Sequence, residues 1–151
     1  MIAAMFVDPG DPTRVFRELG EIEAARARGR ELWAQVGCFP LGMEFTLRHP
    51  YPLEAFLAWR PAIVTESEAA YRAVLADPSF RAALKKEITQ PGVPNRFSEQ
   101  NWAHLIIAEV TRPEHRGLEG RTIAALARER GQDPWDTFLD LGLDGELDAM
   151  F

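Results

Sequence analysis

The sequence predicts a mostly helical α+β or partial α/β fold with two to four short strands, built as a single domain over residues 1–151. Three observations predict it. Apolar residues recur at i, i+3 and i+4 in several stretches, as in Val15/Leu19/Ile22, Ile123/Leu126/Ala127 and Trp135/Phe138/Leu139, which places each set on one helical face. The dipeptide Asp-Pro occurs three times just before such a stretch, at Asp11, Asp77 and Asp133. There the carboxylate accepts orphan amide protons and proline fits the first helical turn. Finally, Leu32–Val36 is a mostly apolar run without clean alternation, reached from a helix through a two-residue loop after Gly29. That is the pattern of a strand covered on both faces in a parallel sheet.

Taken in order, Met1–Val7 reads as a short buried strand or an apolar anchor, and Asp8-Pro9-Gly10 as a turn. Asp11 and Pro12 open a helix with Val15, Leu19 and Ile22 inward, closed at Gly29. After Leu32–Val36, Gly37–Gly42 breaks the run, and Met43–Leu47 is a second, weaker strand. His49-Pro50-Tyr51-Pro52 is a rigid connector, since prolines fix φ and hold their predecessors extended. A short helix with Leu53, Phe56 and Leu57 inward then ends at Arg60-Pro61. Thr65 and Glu68 have capping-box spacing, opening a helix to about Ala76. Asp77-Pro78 starts another, lined by Phe80, Leu84 and Ile88, which Pro91-Gly92 stops before a loop to Ser98. Trp102–Val110 reads as a strand, and Arg112–Gly117 as a polar connector. Leu118–Leu141 is the most sharply punctuated stretch: a helix, a left-handed cap at Gly131, an Asp133-Pro134 start and a second helix. The last residues, with Leu147, Met150 and Phe151, form an apolar segment expected to dock or to belong to something longer.

Composition narrows the function classes. A hydrophobic share of 46% with 26% charged residues is that of an ordinary globular protein. The net charge of −6, with no basic cluster apart from neighbouring acids, argues against a nucleic-acid or anionic-membrane surface. Arg26, Arg28 and Arg30 are the densest basic group and read as a solvated helix end favoured by the dipole. A lone cysteine, Cys38, makes no internal disulfide, which fits a cytoplasmic location. The apolar MIAAMFV start is too short for a signal peptide or a membrane span.

Few residues carry chemistry. His49, His104 and His115 lack metal-ligand spacing on any one element. Cys38 is either an inert thiol or a nucleophile paired with a distant histidine. Gln35 near the end of the clearest strand and Glu44 just past it lie where the carboxyl end of a parallel strand faces a ligand cleft, although Gln35 can equally bond within the sheet and Glu44 face water. Gln35, Cys38 and Glu44 are therefore the candidate binding residues, and no catalytic residue or metal ligand is assigned. The four tryptophans sit at apolar positions and read as core.

Three segments together resemble one family: EAARARG with the strand and CFPLGMEFTL that follow it (Glu23–Leu47), PYPLEAF (Pro50–Phe56), and above all LEGRTIAALARERGQDPWDTFLDL (Leu118–Leu141). They look like the later part of the N-acyl-D-amino-acid deacylase branch of the metal-dependent amidohydrolases. The resemblance implies an incomplete segment of a (β/α)8 barrel and hydrolysis of an amide bond by zinc-activated water. The family's histidine ligands and catalytic aspartate fall outside the matched segments, so zinc is implied only for a complete family member and no ligand is carried over. The family often has arginine before the proline of its post-strand motif, where this chain has Phe39 before Pro40.

Two expectations follow. One is an amidohydrolase-like chain that lacks the metal ligands and is inactive in isolation. The other is a non-catalytic helical α+β module for binding or assembly. Because a barrel fragment leaves sheet edges open, the expected partner is a second copy of the chain, giving a homo-oligomer, or a complementary polypeptide.

Overall fold

The computed structural model describes residues 1–5, 7, 11–37, 42–90 and 102–151. The chain is mostly helical and of the α+β class, and its strands form a two-stranded parallel sheet. Backbone packing divides it into two compact units, Met1–Met43 and Glu44–Phe151.

The first unit is a strand, a helix and a strand. β1 (Ile2–Ala4) pairs in parallel with β2 (Trp33–Gln35), in the register Ile2–Trp33, Ala3–Ala34 and Ala4–Gln35. Parallel neighbours need a long crossover, and α1 (Arg14–Ala27) supplies it. Ile22 is its one buried residue among those described, with Val15 half-buried and Leu19 exposed. Two expectations fail here. The β2 run is not covered on both faces, since Trp33, Ala34 and Gln35 are all exposed, and in the first strand Ile2 and Ala4 are exposed, leaving Met5 as the buried residue. Trp33 is 54% exposed and so is not a core tryptophan. Its ring instead lies under the Arg26 guanidinium, 4.1 Å from centroid to carbon, a cation–π contact that draws Arg26 out of the purely solvated helix end. At the start of α1, Asp11 receives hydrogen bonds from Arg17 at 2.5 Å and Thr13 at 2.8 Å, and these hold its carboxyl down at about 2.

The second unit is helical around an aromatic core. Turns from Tyr51 lead to a 3-10 turn (Leu57–Trp59) that runs into α2 (Arg60–Ile63). Arg60-Pro61 therefore begins a helix where the sequence suggested an end, because a residue without an amide proton suits the first turn. Leu53 and Phe56 point inward as expected, but Leu57 is exposed. α3 (Glu68–Ala76) is capped by Ser67, whose hydroxyl accepts from Ala70 N at 3.2 Å, and not by Thr65. The Thr65 hydroxyl donates instead to Ala62 O, finishing α2. α4 (Pro78–Ile88) has the predicted cap: Asp77 Oδ1 accepts from Ser79 N and Phe80 N at 2.7 and 2.9 Å.

The stretch the sequence punctuates most sharply folds as read. α5 (Ile123–Arg130) buries Ile123, Leu126 and Ala127 and is capped by Thr122. Gly131 is left-handed at φ 61°, a conformation that disfavours any residue with a Cβ. α6 (Pro134–Asp144) then starts at Asp133, whose carboxylate accepts from Trp135 N and Asp136 N, and buries Trp135, Phe138 and Leu139. These side chains join Leu47, Leu53, Trp59, Leu84, Trp102 and Ile107 in one core.

Two strands named from the sequence do not form. Met43–Leu47 is irregular, although Phe45 and Leu47 are buried. Trp102–Val110 contributes only isolated bridges, Ile106 to Thr122 and Glu109 to Met150. It changes partner midway. Ile107 bonds Arg121 and Gly120 on one side, whereas Ala108 and Glu109 bond Met150, so no ladder extends. The expected connector at 112–117 is a 3-10 turn (Pro113–Leu118). The loop expected at Pro91–Ser98 lies outside the described residues.

Candidate functional site

Gln35 is the last residue of β2, as the sequence suggested, and its side chain is exposed while its carbonyl accepts from Met5 N at 3.0 Å. Glu44 is exposed and belongs to the other unit, on a segment that is not a strand. Cys38 lies outside the described residues, as do Phe39 and Pro40.

The polar centres of the second unit were not signalled by any motif. Arg48 is the largest. Its Nε and Nη2 grip both carboxylate oxygens of Asp148 at 2.7 and 2.9 Å, Nη1 reaches Glu68 at 2.8 Å, and Nη2 also donates to the Glu146 carbonyl at 2.9 Å. A forked guanidinium suits this bidentate geometry. Glu68 is shared with Arg72, which in turn donates to Leu143 O. The Arg48 hydrogen bond holds the Asp148 carboxyl below its usual range, and Arg48 with Arg72 does the same to Glu68. The two acids raise Arg48 in return. Beside this cluster, Tyr71 donates to Leu47 O at 2.7 Å; burial, and then the charge of Glu54, push its phenol up. A cleft of about 320 Å³ opens here, lined by Arg48, Thr65, Glu66, Ser67 and Tyr71.

A second cluster joins α4 to α6. Lys85 Nζ lies 2.6 Å from Asp136 and 3.1 Å from Asp133, and Arg81 lies 2.7 Å from Asp140. Burial lowers Lys85, but the hydrogen bonds it donates to Asp136 and Asp133 outweigh this and leave the ammonium raised. The adjoining cleft, about 430 Å³, is bordered by Pro78, Arg81, Lys85 and Gln132. In the first unit, a cleft of about 640 Å³ has Ala3, Ala4, Met5 and Ile22 in its lining, with Glu18 and Glu21 beside them.

The two clusters of the second unit join elements: Arg48 and Arg72 meet Asp148 and Glu68, and Arg81 and Lys85 meet Asp133, Asp136 and Asp140. A zinc site of the hydrolytic kind needs three converging donors. His115 is engaged with Asp144 at 3.1 Å, and Asp144 also meets Arg112 at 3.1 Å, while His49 and His104 are exposed on other segments. Among the described residues, no three metal-ligating side chains converge. Among the described residues, no helix is long and apolar enough to cross a membrane. Compared with known proteins, the chain matches no protein family, no curated protein and no solved structure.

Proposed function

We propose that this chain is an amidohydrolase-like protein, similar to the N-acyl-D-amino-acid deacylases, that contributes scaffold rather than metal ligands and is inactive on its own. The observation that carries the reading is the first unit. A strand, a crossover helix and a parallel strand are the repeating element of a (β/α)8 barrel, and here β1, α1 and β2 adopt that order. The capped pair α5–α6, over the segment with the most specific resemblance, adds support. Exposed Ile2, Trp33 and Val36 are what such an element would present to further strands and helices. In this reading a complementary polypeptide supplies the ligands for zinc and the catalytic carboxylate, and the pair resides in the cytoplasm.

The test is elemental analysis of the purified chain together with an assay on N-acyl-D-amino acids. Substoichiometric zinc and no hydrolysis are expected. About one tightly bound zinc per chain, the content of a working centre, would overturn the reading.

The second reading, a non-catalytic binding or assembly module that pairs with its own copy, is favoured by the core of residues 44–151, which closes around Trp59 and Phe138 within one unit. Sedimentation equilibrium at high concentration tests it, with a dimer expected and a persistent monomer counting against it.

A further inference from the structure

After α6 the chain makes an unusual turn. Glu146 and Leu147 both adopt positive φ, 56° and 70°, a region that crowds any residue carrying a Cβ. The segment beyond runs back as a strap along two other backbone segments. Met150 N donates to Glu109 O at 2.9 Å and Met150 O accepts from Ala108 N at 2.8 Å, while Phe151 and Phe45 exchange bonds of 2.9 and 3.0 Å. Leu147, Ala149 and Phe151 are buried, and the Phe151 ring lies 4.7 Å from that of Phe138. Arg48 secures the strap through the Glu146 carbonyl and the Asp148 carboxylate.

The strap's anchors are thus distant in sequence, at Phe45, Arg48, Ala108 and Glu109. Its connection to α6 is a short turn in a disfavoured conformation. A segment docked this way finds the same anchors on a second copy, and opening its turn into extended chain relieves the left-handed residues. We propose that the strap beyond Leu147 exchanges between two copies of the chain, each seating its Ala149 and Phe151 in the other's core, with Glu146 and Leu147 as the hinge that opens. This deepens the self-association reading given above and rests on it.

Single-cysteine variants of the full chain test the exchange. Replacing Cys38 by Ser removes the one native thiol. On that background Glu109→Cys and Met150→Cys are made separately, because the two positions face each other across an antiparallel bridge. Residues so placed have Cα atoms about 4.5–5.5 Å apart, within disulfide reach. The two variants are mixed at high concentration under mild oxidation and compared with each alone. A disulfide-linked heterodimer well above either homodimer is expected, together with a dimer of the unmodified chain in sedimentation equilibrium. Both cysteines in one chain should form an internal disulfide in the monomer, and failure to do so would remove the pairing on which the exchange depends. Glu146→Gly, which relaxes the closed turn, should weaken dimerisation by about tenfold; unchanged dimerisation contradicts the strained-turn argument. A dimer that yields no heterodisulfide overturns exchange while leaving self-association through another surface. A monomer at every concentration overturns both.

Discussion

Asp133→Ala is the sharpest test of how α6 is held. Asp133 Oδ1 accepts from Trp135 N at 2.9 Å and Asp136 N at 3.3 Å, and lies 3.1 Å from Lys85 Nζ. Removing an N-cap acceptor costs about 1 kcal/mol. The ion pair is partly exposed, 32% at Lys85 and 44% at Asp133, so its loss adds only about 0.5 kcal/mol. Because the helix buries Trp135, Phe138 and Leu139, fraying its start loosens the core, and the cost of about 1.5 kcal/mol should appear in global unfolding. For a chain of 151 residues that corresponds to a midpoint lower by about 3–6 °C. Asp133→Asn keeps the acceptor and loses the charge, so it should lose about 0.5 kcal/mol. Urea unfolding followed by tryptophan fluorescence, with a thermal scan, separates the two variants. An Ala variant as stable as the parent, or an Asn variant as weak as the Ala variant, would refute the assignment of the carboxylate as a cap.

Two further outcomes are expected. A Cβ at Gly142 would fall 2.8 Å from Leu47 Cγ and closer still to Leu47 Cδ1; overpacking of about 1–3 kcal/mol outweighs the roughly 1 kcal/mol gain in helix propensity. Gly142→Ala should therefore lower the urea midpoint, and a stabilised variant would contradict the close packing of α6 on Leu47. Arg48→Met should flatten the acid limb of stability. Arg48 depresses the folded-state ionisation of Asp148 and Glu68 below their ordinary 3.8 and 4.5, so the stabilisation it gives is present above those values and disappears as pH falls through the lowered ones. The stability gap between parent and variant should narrow between about pH 5 and pH 3, and a gap unchanged over that range would count against the clamp.

How much was legible in the sequence depends on how far each determinant reaches. The α5–α6 pair could be read because its signals are local: apolar spacing, Gly131, and a carboxylate two and three residues from the amides it caps. Asp77 was readable for the same reason. Trp102–Val110 has strand composition, yet whether it extends as a strand is decided by Gly120, Arg121 and Met150, and these partners divide it between two sides. The Arg48–Asp148 pair spans 100 residues, and no periodicity marks either member. The apolar run around Trp33 predicts core, but two three-residue strands and one helix offer too little cover to bury it. Among the candidate binding residues, the position of Gln35 at a strand end was visible from the chain, whereas the irregular backbone at Glu44 was not.

The same distinction explains what several polar side chains among the described residues of the second unit do. Glu87 accepts from Leu57 N and Ala58 N at 2.8 and 2.6 Å, at the start of the 3-10 turn before α2. Arg81 donates to Leu75 O near the end of α3, Arg72 to Leu143 O near the end of α6, and Arg48 to Glu146 O in the turn beyond it. Each satisfies a backbone group at the end of an element, where helical hydrogen bonding runs out, and a buried group left without such a partner costs about 1–3 kcal/mol. Charges committed to backbone ends and to one another act on the joints between helices.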